Sequence, residues 1–276
     1  MAWQANLDLR YTLHGPRVVA HHRHDGPLRI LQSLYPEGDA ICHNVLIHPP
    51  GGLVGGDTLD ITVHAASGTH GLITTPGATR FYRSEGALAR QRSQLQLAPQ
   101  ARLEWLPLET LCYDACQAEN RLTLQLAPGA ELIGWDLSAL GLPQAQQPFL
   151  RGRLTQHIEM PGIWLERAQL DASDLRLMNS PAGLAGRRCI ASLFLVCGTA
   201  LERQRKQRLL DAARALLDNK DPALAAGATS PHPQVLVLRV LTPLVEPAMQ
   251  LLRAVRSAWR QELWQLPPGI PRIWAT

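Results

Sequence analysis

Turn-forming dipeptides recur so closely through residues 40 to 170 that a long helix has almost nowhere to form. Ser67-Gly68, Pro76-Gly77, Ala98-Pro99, Pro128-Gly129 and Pro161-Gly162 each break the chain, because glycine opens left-handed backbone and proline removes a donor N–H. Between them, apolar and polar residues alternate. In Leu59-Asp60-Ile61-Thr62-Val63-His64 the period of two places Leu59, Ile61 and Val63 on one face of a half-buried strand. The region therefore reads as antiparallel sheet. A weak repeat points the same way: Arg92–Leu103 and Arg121–Leu132 both read strand, turn, strand, and Trp105 and Trp135 follow them. The simplest account gives these two tryptophans similar packing positions in successive layers.

The last third changes period. Leu209, Leu210, Ala213, Leu216 and Leu217 fall at helical spacing against a charged face, and Asp218-Asn219-Lys220-Asp221-Pro222 stops that helix. After a loop containing Gly, Ser and Pro, the run Val235–Leu241 predicts a buried strand. A second helix is expected from about Pro247, burying Leu251, Leu252, Val255 and Trp259. The fold class expected is mainly β, with stacked or two-layer antiparallel sheets and two C-terminal α-helices, in a single domain over residues 1–276.

Composition removes several function classes. A net charge of +4 with no basic stripe argues against nucleic acid, and Arg203, Arg205, Lys206 and Arg208 read as the solvated face of a helix. No segment reaches the length of a membrane span, and no export signal is evident at the start. Five cysteines without framework spacing suit free thiols in the cytoplasm.

His48-Pro49-Pro50-Gly51-Gly52-Leu53-Val54-Gly55-Gly56-Asp57 is the most unusual segment. It lacks the Lys-Ser/Thr pair and following helix of a phosphate-binding loop. Tight turns at positive φ, or backbone too close for side chains, account for its glycines. His21, His22 and His24 invite a metal reading, yet an exposed strand gives the same composition and distant ligands are missing. Cys112 and Cys116 are expected in an extended segment, about 13 Å apart and too far to share an ion. No catalytic motif anchors an enzyme reading. A dispersed hydrolase or metalloenzyme site built from His43, His48, Asp57 and Glu109 is the alternative.

Three blocks together carry a resemblance. They are Leu34-Tyr35-Pro36-Glu37-Gly38 through His43 to Asp57, Thr74 to Ser84, and Leu103-Glu104-Trp105-Leu106-Pro107-Leu108-Glu109-Thr110. With Gly134-Trp135-Asp136, Pro181 to Arg187 and Pro271-Arg272-Ile273-Trp274, the chain resembles the UreD (UreH) family of urease accessory proteins along nearly its whole length. The resemblance implies a mostly β scaffold with a pair of helices and no catalysis of its own. It further implies binding to the urease apoprotein together with UreF, which recruits the GTPase UreG, and passage of nickel through the interior with no resident cofactor. Transit requires weak ligands, since imidazoles and thiolates hold late first-row ions. On that ground Asp57, Thr75, Glu131, Asp136 and Glu166 are the candidates for the passage. Trp259, Trp264 and Trp274, on the helices and tail, are the candidates for partner contact as aromatic anchors, with burial in the chain's own core the equal alternative.

Overall fold

A computed structural model describes residues 2–217 and 223–275 of the chain. Its described residues build two stacked β-sheets with the two long C-terminal helices against the outer face of the second. The first sheet runs, edge to edge, Trp164–Asp171, Gly152–Met160, Cys116–Leu126, Ala89–Leu97, Thr58–Ala65, Gln4–His14 and Arg17–Asp25. The second runs Ala225–His232, Val235–Thr242, Cys189–Cys197, Glu131–Leu142, Arg102–Leu106, His70–Thr74, Cys42–Ile47 and Arg29–Leu34. The helices are α1 (Leu175–Asn179), α2 (Arg203–Ala215) and α3 (Val245–Trp264).

The β-rich class with C-terminal helices holds, but the centre of each sheet is parallel, not antiparallel. Three strand-turn-strand units explain this: Thr58–Ala65 to His70–Thr74, Ala89–Leu97 to Arg102–Leu106, and Cys116–Leu126 to Glu131–Leu142. Each turn carries the chain across to the other sheet, so the next strand of the same sheet re-enters in the same direction. A hairpin turn would have reversed it. The turns stack as well, through Ala98 N–H to Ala65 O and Ala127 N–H to Leu97 O, both 2.9 Å. The sequence repeat is thus two of three stacked coils.

Period two decides what each strand buries. In Glu131–Leu142, Leu132 and Leu140 join the core between the sheets, whereas Ile133, Trp135 and Leu137 join the core under the helices. Trp105 pairs laterally with Gly134, so Trp105 and Trp135 are one residue out of step and face opposite sides of the sheet. The expectation of equivalent positions is corrected accordingly. Val235–Thr242 is buried on both faces, with Val235 and Val237 on one side and Leu236 and Leu238 on the other, as its unbroken apolar run requires.

The expected loop before it contains the edge strand Ala225–His232, paired antiparallel with Val235–Thr242. Its small polar composition hides it from a propensity reading. The expected helix stop at Asp218 to Pro222 lies outside the described residues. The glycine-rich segment meets both of its structural requirements. Gly51 and Gly56 have φ of +77° and +93°, while a Cβ on Gly52 would lie 2.3 Å from the Tyr82 ring.

Candidate functional site

The parity that fills the inter-sheet core with Leu and Val also carries a row of polar residues into it. In the first sheet Gln91, Asn120 and Gln156 are lateral neighbours, at the same parity as core residues Ala89, Leu122 and Leu154. Facing them from the second sheet, Asp136, Ser192 and Arg239 are in register across three strands. Asp136 is the hub. Its carboxylate accepts hydrogen bonds from Asn120 Nδ2 at 2.6 Å, from Ser138 Oγ at 3.3 Å and from the Gln156 amide. Burial, reinforced by the charge of Glu166, outweighs these donors and pushes its pKa up to about 6.

The row opens to solvent at one end. Glu166 accepts from Ser192 Oγ at 2.8 Å and pairs with Arg239 at 2.7 Å, and the Arg239 side chain is half exposed. At the other end Gln91 borders a cavity of about 240 Å³, also lined by His48, Thr75, Arg80 and Trp105. Thr75 Oγ1 donates to Gly77 O and accepts from Leu108 N–H, both at 2.9 Å. Of the passage candidates, Asp136 and Glu166 lie on this inter-sheet row, and Thr75 lines the cavity that Gln91 borders. Asn120, Ser138, Gln156 and Ser192 went unnoticed in the sequence, although each is a polar residue at a core-facing position.

The other two candidates lie elsewhere. Asp57 is buried with both oxygens occupied, by Trp3 N–H at 2.7 Å and Val54 N–H at 2.8 Å, and so fastens the glycine-rich turn to the N-terminal strand. Glu131 has the opposite parity and points under the helices, to Arg205 Nη1 and Trp264 Nε1, each at 2.7 Å. Cys112 and Cys116 do not lie on one extended segment, because a turn with Ala115 at φ +63° separates their strands. Their thiols are neighbours, and that contact together with burial raises the Cys112 pKa well above its usual value, leaving it a neutral, poor metal ligand.

The profile of the UreD urease accessory protein family matches residues 4–275. The chain belongs to that family. Curated relatives named urease accessory protein UreD include those of Variovorax paradoxus (66% identical), Paracidovorax citrulli (67%) and Leptothrix cholodnii (56%), each aligned over the full length of both chains. Family membership assigns the chain an accessory role in urease maturation, and not a catalytic one. Among the described residues no three His, Cys, Asp or Glu side chains converge in a way that could hold a metal ion. His43, His48, Asp57 and Glu109 do not form a joint site: His43 pairs with Glu37 at 2.8 Å, Asp57 is fully engaged, and Glu109 lies toward Cys189 and Arg253.

The three tryptophans are not exposed anchors; all are buried. Trp259 Nε1 donates to Leu209 O at 2.9 Å, joining α3 to α2. Trp264 sits edge-on to His70 and donates to Glu131. Trp274 packs 5.3 Å from Trp135 and donates to Thr74 Oγ1 at 2.8 Å. Helical spacing marks an apolar face without saying that this same chain's sheet covers it, and here it does. Trp274→Phe keeps the ring but leaves the Thr74 hydroxyl short of a donor. The expected loss is about 1–2 kcal/mol of stability, read by chemical denaturation.

Beneath α3 lies a charged cluster with no sequence signature. Glu104, Arg256 and Arg260 are fully buried, joined by Arg256 Nε to Glu104 at 2.7 Å and Arg260 Nε to Glu104 at 3.3 Å. His70 reaches Glu104 at 3.2 Å, and Arg260 Nη2 also meets Glu37 at 2.5 Å. Arg256 further donates to the Gly269 carbonyl at 3.1 Å, tying the tail to the helix.

Proposed function

We propose that this chain is a cytoplasmic scaffold that binds the urease apoprotein together with UreF, and through UreF the GTPase UreG. Nickel, as cargo, crosses it along the file from Thr75 past Asp136 to Glu166. The observation that carries this reading is Asp136, held by Asn120, Gln156 and Ser138 inside the inter-sheet core, with Ser192, Glu166 and Arg239 beside it leading toward solvent. Buried polar groups are destabilising unless satisfied, and a purely structural core has no need of an acid whose pKa is raised to about 6. Oxygen donors with two carboxylates attract a divalent ion without retaining it as imidazole or thiolate clusters do.

The test is urease activation in cells expressing Asp136→Asn with Glu166→Gln, alongside co-purification of the scaffold with UreF and urease. The expected outcome is an intact complex, with urease nickel content and activity reduced at least about tenfold. Full activation by the double variant would remove the passage from the reading. Failure of the unaltered chain to co-purify with urease and UreF would remove the scaffold.

A further inference from the structure

The strand Arg17–Asp25 is the edge of the first sheet, paired only with Gln4–His14. Its register sets His22 opposite Leu9 and His24 opposite Leu7. Leu7 and Leu9 are buried in the inter-sheet core, so both histidines point to the inner side of the sheet, at its rim. Their rings lie nearly parallel, with centroids 5.8 Å apart and planes at 17°. Neither makes a hydrogen bond or ion pair among the described residues, and His22 Nδ1 is shut from solvent without a partner. His21 and Arg23 project to the other side, where they line an open cleft with Asp8 and Arg10 that reaches Ala20 and His22.

We propose that His22 and His24 form a two-imidazole site for one late first-row divalent cation, separate from the inter-sheet file. Residues two apart on a strand share a face, and two ligands at about 2.1 Å in cis positions need donor nitrogens about 3 Å apart. With the ring centroids 5.8 Å apart, closing to that spacing takes rotation about the Cα–Cβ bonds as well as the Cβ–Cγ bonds, and no hydrogen bond of either ring opposes it. Two protein ligands leave the remaining positions to water, so the ion is held weakly and exchanges, in contrast to a three- or four-ligand structural centre.

The experiment is calorimetric titration of the full chain with nickel chloride at neutral pH, paired with diethyl pyrocarbonate labelling of the peptide carrying His22 and His24. The expected result is one equivalent of bound nickel that weakens at least about tenfold in His22→Asn with His24→Asn. Nickel should also protect that peptide from labelling in the unaltered chain. His14→Asn with His21→Asn, a neighbouring ring pair 6.0 Å apart, controls for a general surface effect and should leave the isotherm unchanged. Asp136→Asn with Glu166→Gln should retain this equivalent, which separates the rim site from the interior file. Equal nickel binding by the His22/His24 double variant, or labelling indifferent to nickel, would overturn the proposal and leave the two imidazoles as polar guards of a sheet edge.

Discussion

Glu104→Ala lowers the unfolding free energy by about 3–5 kcal/mol, the range for breaking a buried charge pair by deleting one partner. The carboxylate is fully buried between two arginines on successive turns of α3, and its removal leaves Arg256 and Arg260 with only Glu37 to balance them. Burial opposes ionisation of Glu104, but Arg256, His70 and Arg260 reverse that and hold its pKa down at about 2. A carboxyl depressed in the folded state stabilises the fold above its unfolded value and loses that contribution as pH falls toward the folded one. Denaturation midpoints of the unaltered chain should therefore drop between about pH 4.5 and 2, and Glu104→Ala should lack this part of the drop. Because Arg256 also holds the Gly269 carbonyl, the tail should become protease-sensitive in the variant. An unfolding free energy within about 1 kcal/mol of the parent's, on the scale of an exposed pair, would mean the cluster contributes little.

Asp136→Asn is expected to do the opposite to stability while lowering urease activation. A carboxyl with a raised folded pKa binds its proton more tightly folded than unfolded, so stability falls as pH rises from near 3.8 to about 6 and then levels off. At about 1.4 kcal/mol per pKa unit, the ionised residue destabilises the fold by about 2–3 kcal/mol at neutral pH. The neutral amide removes that term, and the side-chain amide of Asn120 can turn over to offer its oxygen to the new donor. Urea denaturation across that pH window should show the parent sloping downward and the variant flat. In the proposed passage the ionised carboxylate is what the cation meets, so the same variant should carry less nickel to urease. A variant less stable than the parent at neutral pH would show that the hydrogen bonds from Asn120, Gln156 and Ser138 outweigh the buried charge.

The opposed signs follow from how each acid is neutralised. Glu104 has fixed cations beside it, whereas Asp136 has neutral dipoles and another carboxylate nearby. A site kept at a cost in stability is the usual mark of function over folding.

The alternation of the central strands, the turns between them, the helix period of the last third and the family blocks were determined by the sequence alone. These are local properties: alternation, glycine and proline chemistry, and spacing along one element. Strand direction was not among them, because a turn that closes a hairpin and one that crosses to another sheet have the same composition. Only the register of Trp105 with Gly134 separated the two tryptophans onto opposite faces. Thr75, Asp136 and Glu166 could be chosen for their donor chemistry, but Asp57 and Glu131 carry the same chemistry and were sent by the fold to a turn and to the helix layer. The pairing of Arg256 and Arg260 with Glu104, more than 150 positions away in the chain, rests on tertiary packing. Distance in space is set by which faces meet, and a single sequence records periods within elements, not which faces those are.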